Sequence, residues 1–281
     1  VARYDRPRDR RHKAQQSKGR RRLVAFVSLT VLVAGWYGYE IISTIETDEQ
    51  TLCPTGYANL FGKGGIDAIP EQHVILIDAT DPYSEIQKRA VLKYIEKIKQ
   101  DLSIHARLGI YTIRSEHRET TPTVSLCNPG DGKHLSPLTS NPKLAEKKWR
   151  ERFANKIDEI VKEASQARGD TSPILEYIQA IAVDGFQRKP KKKTLHIISD
   201  MRQNTPAFSH YRNGISYQYF TNNRLNEIYL ADLHDVEVVI LDIQRPDKIA
   251  AQRRMLIRFW EQYFDEMGAK VKRAKPIAGA F

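Results

Sequence analysis

The stretch His73-Val-Ile-Leu-Ile-Asp-Ala-Thr-Asp-Pro-Tyr-Ser84 decides how this chain folds. Its first half, HVILID, is an uninterrupted apolar run closed by a carboxylate. Such a run suits a strand buried on both faces of a parallel sheet, since a half-solvated strand would alternate. Its second half, Asp78 to Ser84, is polar and carries Pro82, so it turns the chain. From Ser84 to Leu102 the residues Ile86, Ala90, Leu92, Ile95 and Ile98 recur at near-helical spacing among charged side chains, which predicts an amphipathic helix. Strand, polar turn and helix follow one another in that order.

Toward the C-terminus the pattern repeats. Ala106–Ile113 (ARLGIYTI) and Thr123–Cys127 (TVSLC) read as strands joined by a polar connection, which predicts an antiparallel hairpin. A Pro- and Gly-bearing loop, 128–141, precedes a charged, mostly solvated helix over 142–167. A turn at 168–173 opens a helix over 174–182. The KPKKK run at 189–193 reads as a solvated loop leading into TLHIISD (194–200), a second apolar strand ending in aspartate. After a long loop, 201–223, come a helix near 224–233, a third buried strand VEVVILDI (236–243) and an amphipathic helix over 249–267. Strands alternating with helices predict an α/β domain over 71–281, doubly wound, with a mainly parallel sheet and one antiparallel hairpin.

Toward the N-terminus the composition changes. Residues 46–70 are polar and punctuated by Pro54, Gly56, Gly62, Gly64, Gly65 and Pro70, as in a linker. Residues 23–45 hold LVAFVSLTVLVAGWYGY, an uncharged run of about 17 residues spanning roughly 25 Å as a helix. Glu40 and three isoleucines extend it. Trp36, Tyr37 and Tyr39 stand at one end and a basic block at the other, the signature of a membrane span with an aromatic belt and a positive cytoplasmic side. Residues 1–22 form that block, ten Lys and Arg against Asp5 and Asp9. The expected arrangement is therefore a single-pass membrane protein with a cytoplasmic tail and a periplasmic or extracellular domain. A buried core helix fits the basic flank poorly, and a cleaved leader needs no charged region this long.

The 281 residues carry a net charge of +11 and an isoelectric point near 9.5, which invites a nucleic-acid reading. About +8 of that lies in the tail, where membrane topology and anionic lipid already account for it, so nucleic acid is disfavoured as a partner. Of the two cysteines, Cys53 follows the apolar segment and Cys127 lies in the domain. Both fall on the non-cytoplasmic side, where a disulfide is permitted; the sequence leaves the bond open.

Open α/β sheets bind ligands beyond the carboxyl ends of their central strands, which directs attention to Asp78 and Asp200. Asp78, Thr80 and Asp81 fall in one turn, and Thr171 and Ser172 at a helix start. With Asp200 these are hard oxygen donors suited to Mg2+ or Mn2+. The order of these motifs resembles the von Willebrand factor A domain family over roughly Glu71 to Lys270. In that family a first strand ends in Asp-x-Ser-x-Ser, a later loop contributes Thr and a following strand ends in Asp, forming a metal-ion-dependent adhesion site.

The resemblance implies that Asp78 and Thr80 match the first motif, that Thr171 or Ser172 stands for the Thr, and that Asp200 is the last aspartate. Pro82 occupies the second Ser position and has no donor, so the implied site is degenerate. Asp81 is a candidate replacement for the missing ligand through its own carboxylate, which would give a more anionic site than the family pattern. The competing reading is that Asp78 and Asp200 brace their own loops. Tyr83 and the aromatics of the long loop, Phe208, Tyr211 and Tyr217 among them, form a candidate rim for a protein partner, or else they pack the loop onto its domain.

Three functions follow from these features. The first is a membrane-anchored binding or scaffold module of a multiprotein envelope system, holding a protein partner with or without a bridging metal. The second is a phosphatase or phosphotransferase of the haloacid-dehalogenase type with Asp78 as nucleophile, although the acid/base position two residues on is Thr80. The third is a nucleic-acid-associated protein acting through its tail. No Gly-rich phosphate loop, His-Glu-x-x-His or Gly-x-Ser-x-Gly pattern is present.

Overall fold

All eight residues of β1 (Glu71–Asp78) are buried, as the apolar run requires. In this computed structural model residues 47–55, 69–115, 121–133, 141–186, 190, 192–245 and 250–279 are described. The expected basic tail and membrane segment lie outside them, as does most of the linker. Among the described residues no helix is long and apolar enough to cross a membrane.

β1 leads through a tight turn into α1 (Glu85–Asp101), whose start is a capping box. The Ser84 hydroxyl accepts from Gln87 N at 3.3 Å, while the Gln87 side chain accepts from Ser84 N at 3.0 Å. β2 (Arg107–Ile113) and β3 (Val124–Cys127) pair antiparallel, as the hairpin pattern predicts. A long helical stretch follows: α2 (Pro142–Trp149), a wide π-helical turn at Arg150–Ala154, and α3 (Asn155–Ala164). The expectation of a mostly solvated helix holds for α2, which buries nothing. It fails for α3, which turns Ile157, Val161 and Ala164 inward.

α4 (Ile174–Ala180) leads to β4 (Lys192–Ser199). The long loop after β4 is more structured than its polarity suggests, because α5 (Tyr217–Asn222) forms within it and α6 (Leu225–Tyr229) follows. β5 (Val236–Ile243), α7 (Ala250–Glu266) and a sixth strand, β6 (Lys270–Ile277), complete the chain. β6 is absent from the sequence-based expectation. Its sequence, KVKRAKPI, has four cations and a proline, so it carries no apolar signal; only pairing with β5 makes it a strand.

The strand order is β3-β2-β1-β4-β5-β6, with every neighbouring pair parallel except β2 with β3. Helices cover both faces. Val74, Leu76, Ile197 and Ile240 point toward α4 and α7, where Phe259, Trp260, Tyr263 and Phe264 build an aromatic layer. Ile75, Ile77, Ile198 and Leu241 point toward α1 and α3. Side chains that alternate along one strand thus feed two separate cores, which is why each central strand carries apolar residues on both of its faces.

A buried polar chain crosses the α1 side of the sheet. Tyr94 Oη lies 2.7 Å from His196 Nδ1, His196 Nε2 lies 3.0 Å from His73 Nδ1, and His73 Nε2 lies 3.4 Å from Glu71 Oε2. Glu71 also accepts from Lys192 at 2.7 Å and from the Ser103 backbone and hydroxyl. Burial, then the neighbouring His73, pushes the His196 pKa down to about 3. Against the cost of burial, the bonds from Lys192 and Ser103 hold Glu71 down at about 2.

Residues 47–55, the described part of the expected linker, are docked on the domain. A Cys53–Cys127 disulfide joins backbones whose Cα atoms are 4.7 Å apart. Cys127 N donates to Thr51 O at 2.9 Å beside it, and Leu52 is buried in the α1-side core.

Candidate functional site

β1 and β4 are adjacent and parallel, so their carboxyl ends deliver Asp78 and Asp200 to the same edge. Register sharpens this. Ile77 pairs with Ile198, which sets Ser199 beside Asp78. Asp78 is 5% exposed and all four of its acceptor positions are taken. Oδ1 accepts from the Thr80 amide at 3.1 Å and the Thr80 hydroxyl at 2.6 Å, and Oδ2 from Ser199 at 2.7 Å and Ser172 at 3.1 Å. Burial, then the charge of Asp200, raises its pKa, and the bonds from Thr80 and Ser199 act against that rise.

Above this carboxylate lies a cleft of about 190 Å³ lined by Thr80, Asp81, Asp170, Thr171, Ser172, Asp200, Arg202, Asn204 and Tyr211, with Gly169 at its wall. The loop before α4 is held against the loop after β4 by a short two-way pairing, Ser172 N to Asn204 O and Asn204 N to Ser172 O, both 2.9 Å. On the other side Gly169 N donates to Thr80 O at 2.8 Å. A Cβ on Gly169 would collide with the Ser115 hydroxyl, so glycine allows this approach without displacing that hydroxyl.

The structure separates the two residues that the sequence left as alternatives. Ser172 turns its hydroxyl to Asp78, whereas Thr171 donates its own to Ser115 O at 3.0 Å and lines only the rim. Asp200 is buried at 6% exposure and accepts from Arg202 N at 2.9 Å. Asp81 is turned outward. Its side chain lies 3.9 Å from Arg245, a residue that also donates to Pro82 O at 2.8 Å and to Asp81 O at 3.2 Å. These bonds tie the Asp81-Pro82 turn to the end of β5.

The aromatic residues divide. Tyr83 is interior, its hydroxyl donating to Asp78 O at 2.7 Å and reaching Ile198 O at 3.2 Å; burial raises its pKa well above the usual phenol value. Phe208 is fully buried and packs on Phe220 and Phe259, so neither it nor Tyr83 presents a surface to a partner. Tyr217 is half-buried against the same layer. Only Tyr211, 56% exposed, stands at the cleft, with the Arg202 guanidinium 4.9 Å above its ring.

Sequence reasoning missed Ser199, Arg202 and Asn204. A serine beside Asp200 at the end of an otherwise apolar strand is a usable signal for the first. For the other two no local pattern distinguishes them from loop residues.

Among the described residues no three His, Cys, Asp or Glu side chains group as metal ligands. A cation here would rest on hydroxyl oxygens as well as carboxylates, and the donor set fits one. Thr80 and Ser172 give their protons to Asp78 and keep lone pairs facing the cleft that Asp200 flanks. Asp78 itself, with its acceptor positions filled, is poorly placed as a nucleophile.

A doubly wound α/β sheet of this order, with one antiparallel edge pair and a hydroxyl-carboxylate cluster at the carboxyl ends of its central strands, is of the Rossmann-like class to which A domains also belong. The sequence matches no model of a known protein family and no curated protein. Among solved structures it is similar to the conserved hypothetical protein BatB from Bacteroides thetaiotaomicron, with 11% identity, a TM-score of 0.33, and 73% of this chain and 90% of that chain covered. A likeness at that level adds nothing to what the strand order establishes.

Proposed function

We propose that this chain is a membrane-anchored binding module that holds a protein partner at the carboxyl edge of its sheet, with Mg2+ or Mn2+ assisting. One observation carries the reading. Three hydroxyls, those of Thr80, Ser172 and Ser199, converge on the buried Asp78 carboxylate beneath a cleft flanked by Asp200. A desolvated carboxylate whose pKa is raised by burial and by the charge of a second carboxylate, as that of Asp78 is by Asp200, is stabilised by a cation. In this reading Thr80, Ser172 and Asp200 hold the metal directly, and Asp78 orients the hydroxyls. Thr171, Asp81 and Tyr211 border it and face the partner.

Calorimetric titration of the full chain with Mg2+ and Mn2+ tests the metal. Saturable heat in the wild type, lost in Asp200→Ala and in Ser172→Ala, is expected. Absence of heat in the wild type removes the metal and leaves a hydroxyl-lined binding cleft.

The disulfide favours a domain outside the cytoplasm, since such bonds persist in oxidising compartments. Together with the 23–45 apolar segment and the 1–22 basic block it supports an N-terminus inside and a domain outside. Glu49→Cys in a Cys53→Ser, Cys127→Ser background should react with an impermeant maleimide in intact cells. Reaction only after lysis would overturn the topology.

A further inference from the structure

β6 is the last strand of the sheet, and no described residue pairs with its outer edge. Its eight residues include Lys270, Lys272, Arg273 and Lys275, all exposed, and no acid. Lys272 pairs with Glu237 on β5, which leaves three cations along the edge. Next to it, between α7 and β6, runs a groove of about 400 Å³. Its floor is apolar, from Ile257, Ala274 and Pro276, and Arg253, Arg254 and Arg258 border it against the single exposed acid Glu261. Arg253 is turned inward, its Nε 4.0 Å from the buried Asp242, so Arg254 and Arg258 are the outward pair.

An open strand edge invites another strand, and charge decides which one. Two copies of β6 set side by side would oppose lysine to lysine, so the chain disfavours pairing with itself. The same charges complement an acidic strand. An extended segment paired along Lys270–Lys275 would span about 20 Å and project alternate side chains toward the α7 groove. There acidic side chains would meet Arg254 and Arg258, their methylene groups resting on Ile257.

We propose that the β6 edge with its arginine groove docks an extended acidic segment of a partner protein by strand addition, at a place separate from the Asp78 cleft. The two surfaces would let one domain hold two partners.

The probe is a labelled, end-capped peptide, Glu-Val-Glu-Thr-Glu-Val-Glu, titrated into the full chain by fluorescence anisotropy. Saturable binding is expected, weakened at least tenfold in Arg254→Glu/Arg258→Glu, with slower amide exchange over Lys270–Lys275. Methylating alternate backbone nitrogens of the peptide should also weaken it at least tenfold, since strand pairing needs those donors while bulk charge attraction does not. Equal affinity for the methylated peptide, or for the double variant, overturns the proposal. So does failure of the peptide to bind while phosphatidylglycerol vesicles bind and lose that binding in the double variant, which would make the patch a lipid contact. Asp200→Ala should leave peptide binding unchanged, so this result is independent of the cleft.

Discussion

At the scale of single residues, Asp78 is the centre of the buried hydroxyl cluster and Ser199 its least visible support. Ser199 is fully buried and gives its proton to Asp78 while accepting from Met201 N at 2.8 Å. Ser199→Ala leaves a buried carboxylate short of one donor and an amide without its acceptor. We expect a loss of about 1–3 kcal/mol in urea unfolding; a change near zero would mean that water replaces the hydroxyl. The His73–His196 pair makes a second prediction. The folded chain binds a proton at His196 only near pH 3, whereas the unfolded chain binds it near 6.5, so protons favour unfolding between those values. The contribution is complete above pH 6.5 and is lost as pH falls toward 3, on the order of 5 kcal/mol in all. Glu71 adds a loss of the same sign between 4.5 and about 2. Asp78, with its raised pKa, acts oppositely. Thermal melts from pH 7 to pH 4 should therefore show a falling midpoint in the wild type and a flatter profile in His196→Gln. Identical slopes would mean that His196 is not the group responsible.

At the scale of elements, the β1–α1 turn, the loop before α4 and the loop after β4 are fastened to one another by backbone bonds, and Gly169 is the closest point of contact. Gly169→Ala should displace the Ser115 hydroxyl from Thr171 N, which it now meets at 3.2 Å, and move the rim of the cleft. A cost of about 1–3 kcal/mol is expected from overpacking, partly recovered by adding Ser115→Gly. A fully stable Gly169→Ala would show that the loops yield freely. How much was legible in the sequence differs by element. HVILID, LHIIS and VEVVILDI announced themselves because a strand buried on two faces carries apolar residues at consecutive positions instead of alternate ones. The hairpin was legible from its two short apolar runs. β6 was not, because an edge strand with one solvated side needs few apolar residues and is a strand only through its partner. The aromatic loop was legible as unusual but not in direction. Phe208 turns inward because α7 offers it Phe259, a surface that no local pattern encodes.

At the scale of the whole molecule, the disulfide joins residues 74 positions apart and fixes the segment 47–55 against β3. Closing a loop of that length removes unfolded-state freedom worth about 4 kcal/mol in the chain-entropy picture. Cys53→Ser should lower the urea midpoint accordingly and speed amide exchange at Leu52 and Cys127. An unchanged midpoint would mean that Leu52 packing alone holds the segment. The sequence by itself determined the class of fold, the three central strands and the two aspartates at their ends, because periodicity and burial are local properties of the chain. Only the tertiary structure decided that Ser172 and not Thr171 faces Asp78, that Ser199 joins them, and that Tyr83 and Phe208 are interior. Those outcomes depend on strand register and on which surfaces meet across the sheet, and residues 94 or 121 positions apart share no local signal that brings their side chains together.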